Sequence, residues 1–181
     1  MYGIWNRLQY MLSPQFDIYE QVSKVVSGNV LDVGCGSGFG THLFTRRAEV
    51  VQGIDLDVDA VNFAERAFSN GKIYFSCLSV GECVQHGEFD FITMIDVIEH
   101  IADDVGAVKT VSGLLKENGK FICSTPNRLS RYRKASHHIR EYSPDDLKQL
   151  LCRVFDRVVI VDYQLKPMDS EYLNPMIALC K

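Results

Sequence analysis

A chain of 181 residues, 46% hydrophobic and 23% charged, reads as one soluble globular domain with room for a sizeable core. The formal net charge of −4 argues against general nucleic-acid binding, and six cysteines without a C-x-x-C pair argue against a zinc or disulfide scaffold. No stretch reads as a signal peptide or a bilayer span, so a cytoplasmic protein with free, buried thiols is expected, as a monomer or homodimer.

The chain opens with Ile4, Trp5, Leu8, Met11 and Leu12 at helical spacing, and Ser13-Pro14 then reads as an N-cap and first residue of a helix to about Val26. Residues 1–27 are thus expected as a helical cover, with Tyr2, Trp5 and Tyr10 either facing a pocket or packed on the core. Next comes NVLDVGCGSGFG, Asn29 to Gly40. Val30, Leu31 and Val33 predict a buried strand, glycines at 34, 36, 38 and 40 a turn, and THLFTRR a helix. Glycine admits positive φ and close approach of a ligand, and a following helix favours negative charge at its start. A nucleotide-like ligand with an anionic group fits such a turn. The spacing is not that of a dinucleotide fingerprint, and the Gly-Lys-Ser/Thr of a phosphate-binding loop is absent. VVQGI predicts a second strand ending at Asp55, about twenty residues after the first glycine, where an acid can accept hydrogen bonds from ribose hydroxyls.

Asp32-x-Gly34-x-Gly36-x-Gly38, followed by an acid after the second strand, resembles the class I S-adenosylmethionine-dependent methyltransferases. The likeness runs from about Gln15 to the C-terminus. It implies a Rossmann-like, doubly wound α/β fold: seven strands, mostly parallel with the last antiparallel, and helices on both faces. It implies S-adenosyl-L-methionine as cofactor. Asp32, Gly34, Cys35, Gly36 and Gly38 would hold its methionine part, and Asp55 and Leu56 its ribose. Leu78 and Ser79, where the family usually has an aspartate, would reach the adenine, and Asp96 would lie at the carboxyl edge of the sheet, where open α/β sheets bind ligands.

A helix is expected after Asp55, started by Asp57 or Asp59, then a strand over Lys72 to Cys77 and another over Phe89 to Ile95. The latter leads into Asp96-Val97-Ile98-Glu99-His100-Ile101. A strand ending in an acid before Glu-His-Ile resembles small-molecule methyltransferases, including the ubiquinone-biosynthesis type. His100 would then sit near the transferred methyl or tie down the loop. Asp103 to Glu117 predicts a helix stopped by Asn118-Gly119, then a strand over Lys120 to Ser124. Ser143-Pro144 starts a last helix, and Val158 to Tyr163 and Met176 to Cys180 are the final strands.

Residues 127–142 carry Arg128, Arg131, Arg133, Lys134 and Arg140, five of the nineteen lysines and arginines of an acidic chain. Arginine forks bind carboxylate and phosphate, so an anionic or phosphate-linked acceptor is expected there, against a segment whose charges are merely solvated. The run Thr125-Pro126-Asn127, His-x-x-Arg-Glu-Tyr and Ser-Pro-Asp-Asp-Leu resembles sugar and glycan methyltransferases. It implies that His137 or His138 and Tyr142 point inward. His100, His138 and His137 are the candidate bases for a hydroxyl acceptor, at a pH that suits histidine. The motifs of amino-group and cytosine-carbon enzymes are missing after the fourth strand. An inactive cofactor-binding subunit and an aminopropyl transferase stay open as other readings, the second disfavoured by the basic segment.

Overall fold

The computed structural model describes residues 13–83, 88–130, 136–167 and 175–181. Strands β1 (Gly28–Val33), β2 (Ala48–Asp55), β3 (Ile73–Cys77), β4 (Phe89–Ile95), β5 (Leu115–Thr125), β6 (Val158–Val161) and β7 (Met176–Cys180) form one sheet in the order β3-β2-β1-β4-β5-β7-β6. β1 to β5 are mutually parallel, and β7 runs antiparallel to both β5 and β6. The seven-stranded architecture expected from the sequence is therefore present.

Alternation along the strands splits the core in two. Leu31, Ile92, Met94 and Phe121 pack on one face with helices α4 (Asp104–Leu114) and α5 (Pro144–Leu151). Val30, Val51, Ile73 and Ile122 pack on the other with α1 (Pro14–Val22), α2 (Thr41–Phe44) and α3 (Val58–Phe68). The caps read from sequence form. Ser13 accepts from the Phe16 N–H, Asp57 from Asp59 and Ala60, and Ser143 from Asp146.

Several boundaries differ. α1 ends at Val22, and the helix predicted over THLFTRR is one turn, because Ala48 already pairs with Gly28 in the sheet. The helix expected to Glu117 stops at Leu114. Leu115 pairs with Phe89 and Lys120 with Phe91, so the intervening residues bulge out of β5. Gly119 is not a left-handed helix stop, since the positive-φ glycines among the described residues are 28, 34, 36 and 38. It is small because a Cβ there would come within 2.9 Å of the Phe89 carbonyl. β6 ends at Val161, where the Asp162 carboxylate turns the chain by accepting from Gln164 and Lys166. The six cysteines are free, but Cys77 and Cys152 are exposed, a correction to the expectation of buried thiols. Tyr2, Trp5, Tyr10, Arg131, Arg133 and Lys134 lie outside the described residues.

Candidate active site

The parallel strands β1 to β5 all end on one edge of the sheet, and the strand order reverses between β1 and β4. Open α/β sheets bind ligands at such a switch point. The turn after β1 starts there. Gly34 sits at φ +74°, and a Cβ on it would lie 2.3 Å from a Val97 methyl. Gly36, at φ +51°, has nothing within 4 Å of the same position, so its backbone faces open space. The Gly36 N–H donates to Asp55 at 2.7 Å, and Asp55 also accepts the Asp57 N–H at 2.9 Å.

Asp32 lies beneath this turn. It is fully buried and accepts hydroxyls from Tyr19 at 3.1 Å, Thr41 at 2.6 Å and Thr93 at 2.6 Å. Burial pushes its carboxyl up to about 6 against the pull of those hydroxyls. Its carboxylate thus ties α1, α2 and β4 to β1 below the turn. Cys35 points its side chain into the core, and burial pushes its thiol up. Asp32 and Cys35 therefore shape the turn from below.

Above the edge lies a cavity of about 490 Å³ lined by Gly34, Asp55, Leu56, Leu78, Ser79, Asp96 and His100, together with Val33, Ile54, Val80, Val97 and Ile101. The structure thus brings together in one lining Gly34, Asp55, Leu56, Leu78, Ser79 and Asp96 of the residues expected at the cofactor, with His100 of the candidate bases. Val97 and Ile101 line the cavity as well, from the segment after β4, although their residue types carry no sequence signal for it. Leu56 is exposed at the rim, and Ser79 caps a short turn with Glu82.

Asp96 ends β4 in a left-handed conformation, φ 54°, which is uncommon for a residue with a Cβ. Ser124 holds it from both sides: the Asp96 N–H donates to the Ser124 hydroxyl at 3.1 Å, and that hydroxyl donates to the Asp96 carboxylate at 2.8 Å. Burial raises its carboxyl, opposed by Ser124 and by His138 and His100 nearby. A second cavity, of about 340 Å³, also has Asp96 in its wall, with Ser13, Gln15, Pro126, Asn127, Arg128, Ser130, His138 and Glu141. Asp96 is common to the linings of the two cavities. α1 thus does two things: Ile18, Tyr19 and Val22 pack in the core, while the residues at its start line the second cavity.

The three candidate bases stand together, with ring centroids 5.0–5.1 Å apart. His100 lines the first cavity and His138 the second. Tyr142 lines neither. Its hydroxyl donates to Asp104 at 2.7 Å, and Arg140 pairs with the same carboxylate. Burial alone would raise the Asp104 carboxyl, but these two partners hold it below its usual range. Arg128, on the second cavity, is half exposed and ion-paired with Asp146 at 2.8 Å. The buried Glu99, which sequence reasoning passed over, accepts the Thr125 hydroxyl at 2.9 Å. Burial, with Asp96 nearby, raises its carboxyl to about 7.

A glycine turn after β1, an acid after β2 and a cavity over the switch point define a class I S-adenosylmethionine-dependent methyltransferase fold. The chain belongs to the methyltransferase domain family, which matches residues 7–155. It is 32% identical over 131 residues to the ubiquinone biosynthesis O-methyltransferase of Histophilus somni, covering 68% of this chain and 52% of that protein. The corresponding protein of Actinobacillus pleuropneumoniae is 33% identical over 129 residues, 66% of this chain and 55% of the relative. The chain spans about half the length of these curated relatives. Among solved structures, an S-adenosylmethionine-dependent methyltransferase from Clostridium acetobutylicum superposes with a TM-score of 0.74 at 20% identity, over 98% of this chain and 96% of that one. A TehB-like methyltransferase from Corynebacterium glutamicum gives 0.74 at 17%, over 97% and 92%. At such identity these two likenesses bear on the fold.

S-adenosylmethionine is the cofactor of this family, and the first cavity fits it. Gly36 leaves an open cradle at the turn. Asp55 has spare acceptor capacity, since a carboxylate offers about four lone-pair sites and two are used here. Leu56, Leu78, Val97 and Ile101 supply apolar wall for a flat base.

Proposed function

We propose that this chain transfers a methyl group from S-adenosylmethionine to an oxygen of a small acceptor held in the second cavity. The observation that carries this reading is that Asp96 lines both cavities. The cofactor supplies an electrophilic methyl on a sulfonium. The chain's own work is then mainly alignment, worth up to about 7–11 kcal/mol when two reactants are held in line. In this reading the glycine turn receives the carboxylate of the cofactor and Asp55 its ribose hydroxyls. Asp96, fixed by Ser124, borders both donor and acceptor.

Oxygen is favoured as the methylated atom because the curated relatives are named O-methyltransferases. A hydroxyl must lose its proton. His138 is best placed for it, since it lines the acceptor cavity and Glu141 stands 3.3 Å from its Nδ1. A carboxylate there fixes the ring and leaves Nε2 for the acceptor. An anionic or phosphate-linked acceptor, such as a sugar or glycan precursor, is supported among the described residues by Arg128, which would exchange Asp146 for the ligand.

The test is release of S-adenosylhomocysteine from S-adenosylmethionine with phenols, phenolic carboxylates, sugar phosphates and amines in parallel. Turnover with hydroxyl acceptors, higher when they carry an anion, supports the reading. Turnover with amines alone would overturn the assignment to oxygen.

A further inference from the structure

The three histidines come together by construction. His100 closes the short turn Ile98–His100 after β4, while His137 and His138 belong to the segment before α5. Glu99 joins the two. Its main-chain carbonyl accepts the N–H groups of Ile139 at 2.9 Å and Arg140 at 3.2 Å, and its buried side chain is anchored on Thr125. The segment carrying two imidazoles is thereby tied to the turn carrying the third. One ligand nitrogen from each ring lies within 4.8 Å of the others.

From this geometry we infer that His100, His137 and His138 form a binding site for a divalent transition-metal cation, with zinc the best match. Three imidazoles suit zinc, copper, nickel or iron and not magnesium or calcium, which take oxygen ligands. A tetrahedral zinc with bonds of about 2.0–2.1 Å holds its nitrogens about 3.3 Å apart, so binding draws in ring nitrogens that already lie within 4.8 Å of one another. The outer contacts point the same way. Metal-bound imidazoles generally give their other nitrogen to a carbonyl or carboxylate. Here the His100 Nδ1 lies 3.2 Å from the His137 carbonyl, and the His138 Nδ1 lies 3.3 Å from Glu141. Both pairs leave Nε2 free.

The site rests on the methyl-transfer reading for its use and deepens it. Three protein ligands leave a fourth position for water or an acceptor oxygen. His100 lines the first cavity and His138 the second, so a cation held by both rings borders the lining of each. An acceptor hydroxyl bound there loses its proton to water, keeps the electron pair on oxygen and shares it with the cation. The bare His138 Nε2 is then a ligand, and the cation replaces it as the group that activates the hydroxyl.

The experiment is titration of the metal-free protein with zinc by calorimetry and with cobalt(II) by visible absorption. One equivalent bound, with the intense bands of tetrahedral cobalt, is expected. His137→Ala and His100→Ala should each abolish those bands, and Glu141→Gln should weaken zinc about 10- to 100-fold. His42→Ala, an imidazole stacked on Phe68 away from the cluster, should change neither. No stoichiometric uptake, or uptake unaffected by His137→Ala and His100→Ala, overturns the inference. S-adenosylhomocysteine titrated into the same preparation separates the two claims. Its binding without metal uptake leaves the methyltransferase reading standing alone, and metal uptake without its binding removes the cofactor assignment while the cation site stands.

Discussion

The Gly36 N–H donates to the Asp55 carboxylate at 2.7 Å, joining the turn after β1 to the acid that ends β2. The two halves of the proposed cofactor site are therefore coupled before any ligand arrives. In the proposed reading Asp55→Ala removes the acceptor for two ribose hydroxyls, and it also frees the turn from the Gly36 N–H bond. Each hydrogen bond to a charged group is worth about 1.5–3 kcal/mol, so loss of two should weaken S-adenosylmethionine binding by about a hundredfold or more. Calorimetric titration of the variant checks this, and unchanged affinity would place the ribose elsewhere.

Asp32 makes stability depend on pH in a direction opposite to that of a salt-bridged carboxylate. Its carboxyl is raised from 3.8 to about 6 in the folded protein, so between those values the folded state holds a proton that the unfolded state has lost. Stability contributed at this position should fall as pH rises from about 4 to 6 and then level off. Two units at about 1.36 kcal/mol each bring the change to about 3 kcal/mol. Asp32→Asn stays neutral, can still bond Thr41, Thr93 and Tyr19, and should flatten that part of the profile. Equal slopes in both proteins, measured by urea denaturation, would contradict this account.

Gly34 is needed twice over, for its φ of +74° and for the Val97 methyl 2.3 Å from a Cβ. Gly34→Ala should lose about 1–2 kcal/mol from the backbone alone and more from the overlap. Adding Val97→Ala should recover the overlap part and leave the backbone part. Denaturation midpoints of the single and double variants test the division. A complete rescue would mean that the backbone is unstrained.

Tyr142→Phe deletes a hydroxyl donated to Asp104 and should lower stability by about 1–3 kcal/mol, with KM for the acceptor unchanged. A raised KM at full stability would instead put this hydroxyl on the substrate, as the sequence resemblance implies.

That contrast shows what a sequence makes legible. The turn and the acid after β2 were readable because a ligand cradle requires glycine and an acid at set distances along the chain. The caps Asp57 and Ser143 were readable because they act within one helical turn. Tyr142 was not, because its partner Asp104 stands 38 residues away and lies outside the motif. Asn118-Gly119 carried a local stop signal, but pairing of Leu115 with Phe89 ended the helix earlier. His100 and the His137-His138 pair were each visible as single candidates. Their meeting depends on the Glu99 carbonyl, a backbone bond that leaves no trace in side-chain pattern.

The proposed seat of S-adenosylmethionine is the cavity over Gly34, Asp55 and Asp96. Calorimetric titration of the folded protein with S-adenosylmethionine and then S-adenosylhomocysteine tests it most directly. One site for each, with the product bound at least as tightly and both weakened by Asp55→Ala, is the predicted result. Absence of binding by either ligand to protein shown to be folded would contradict it.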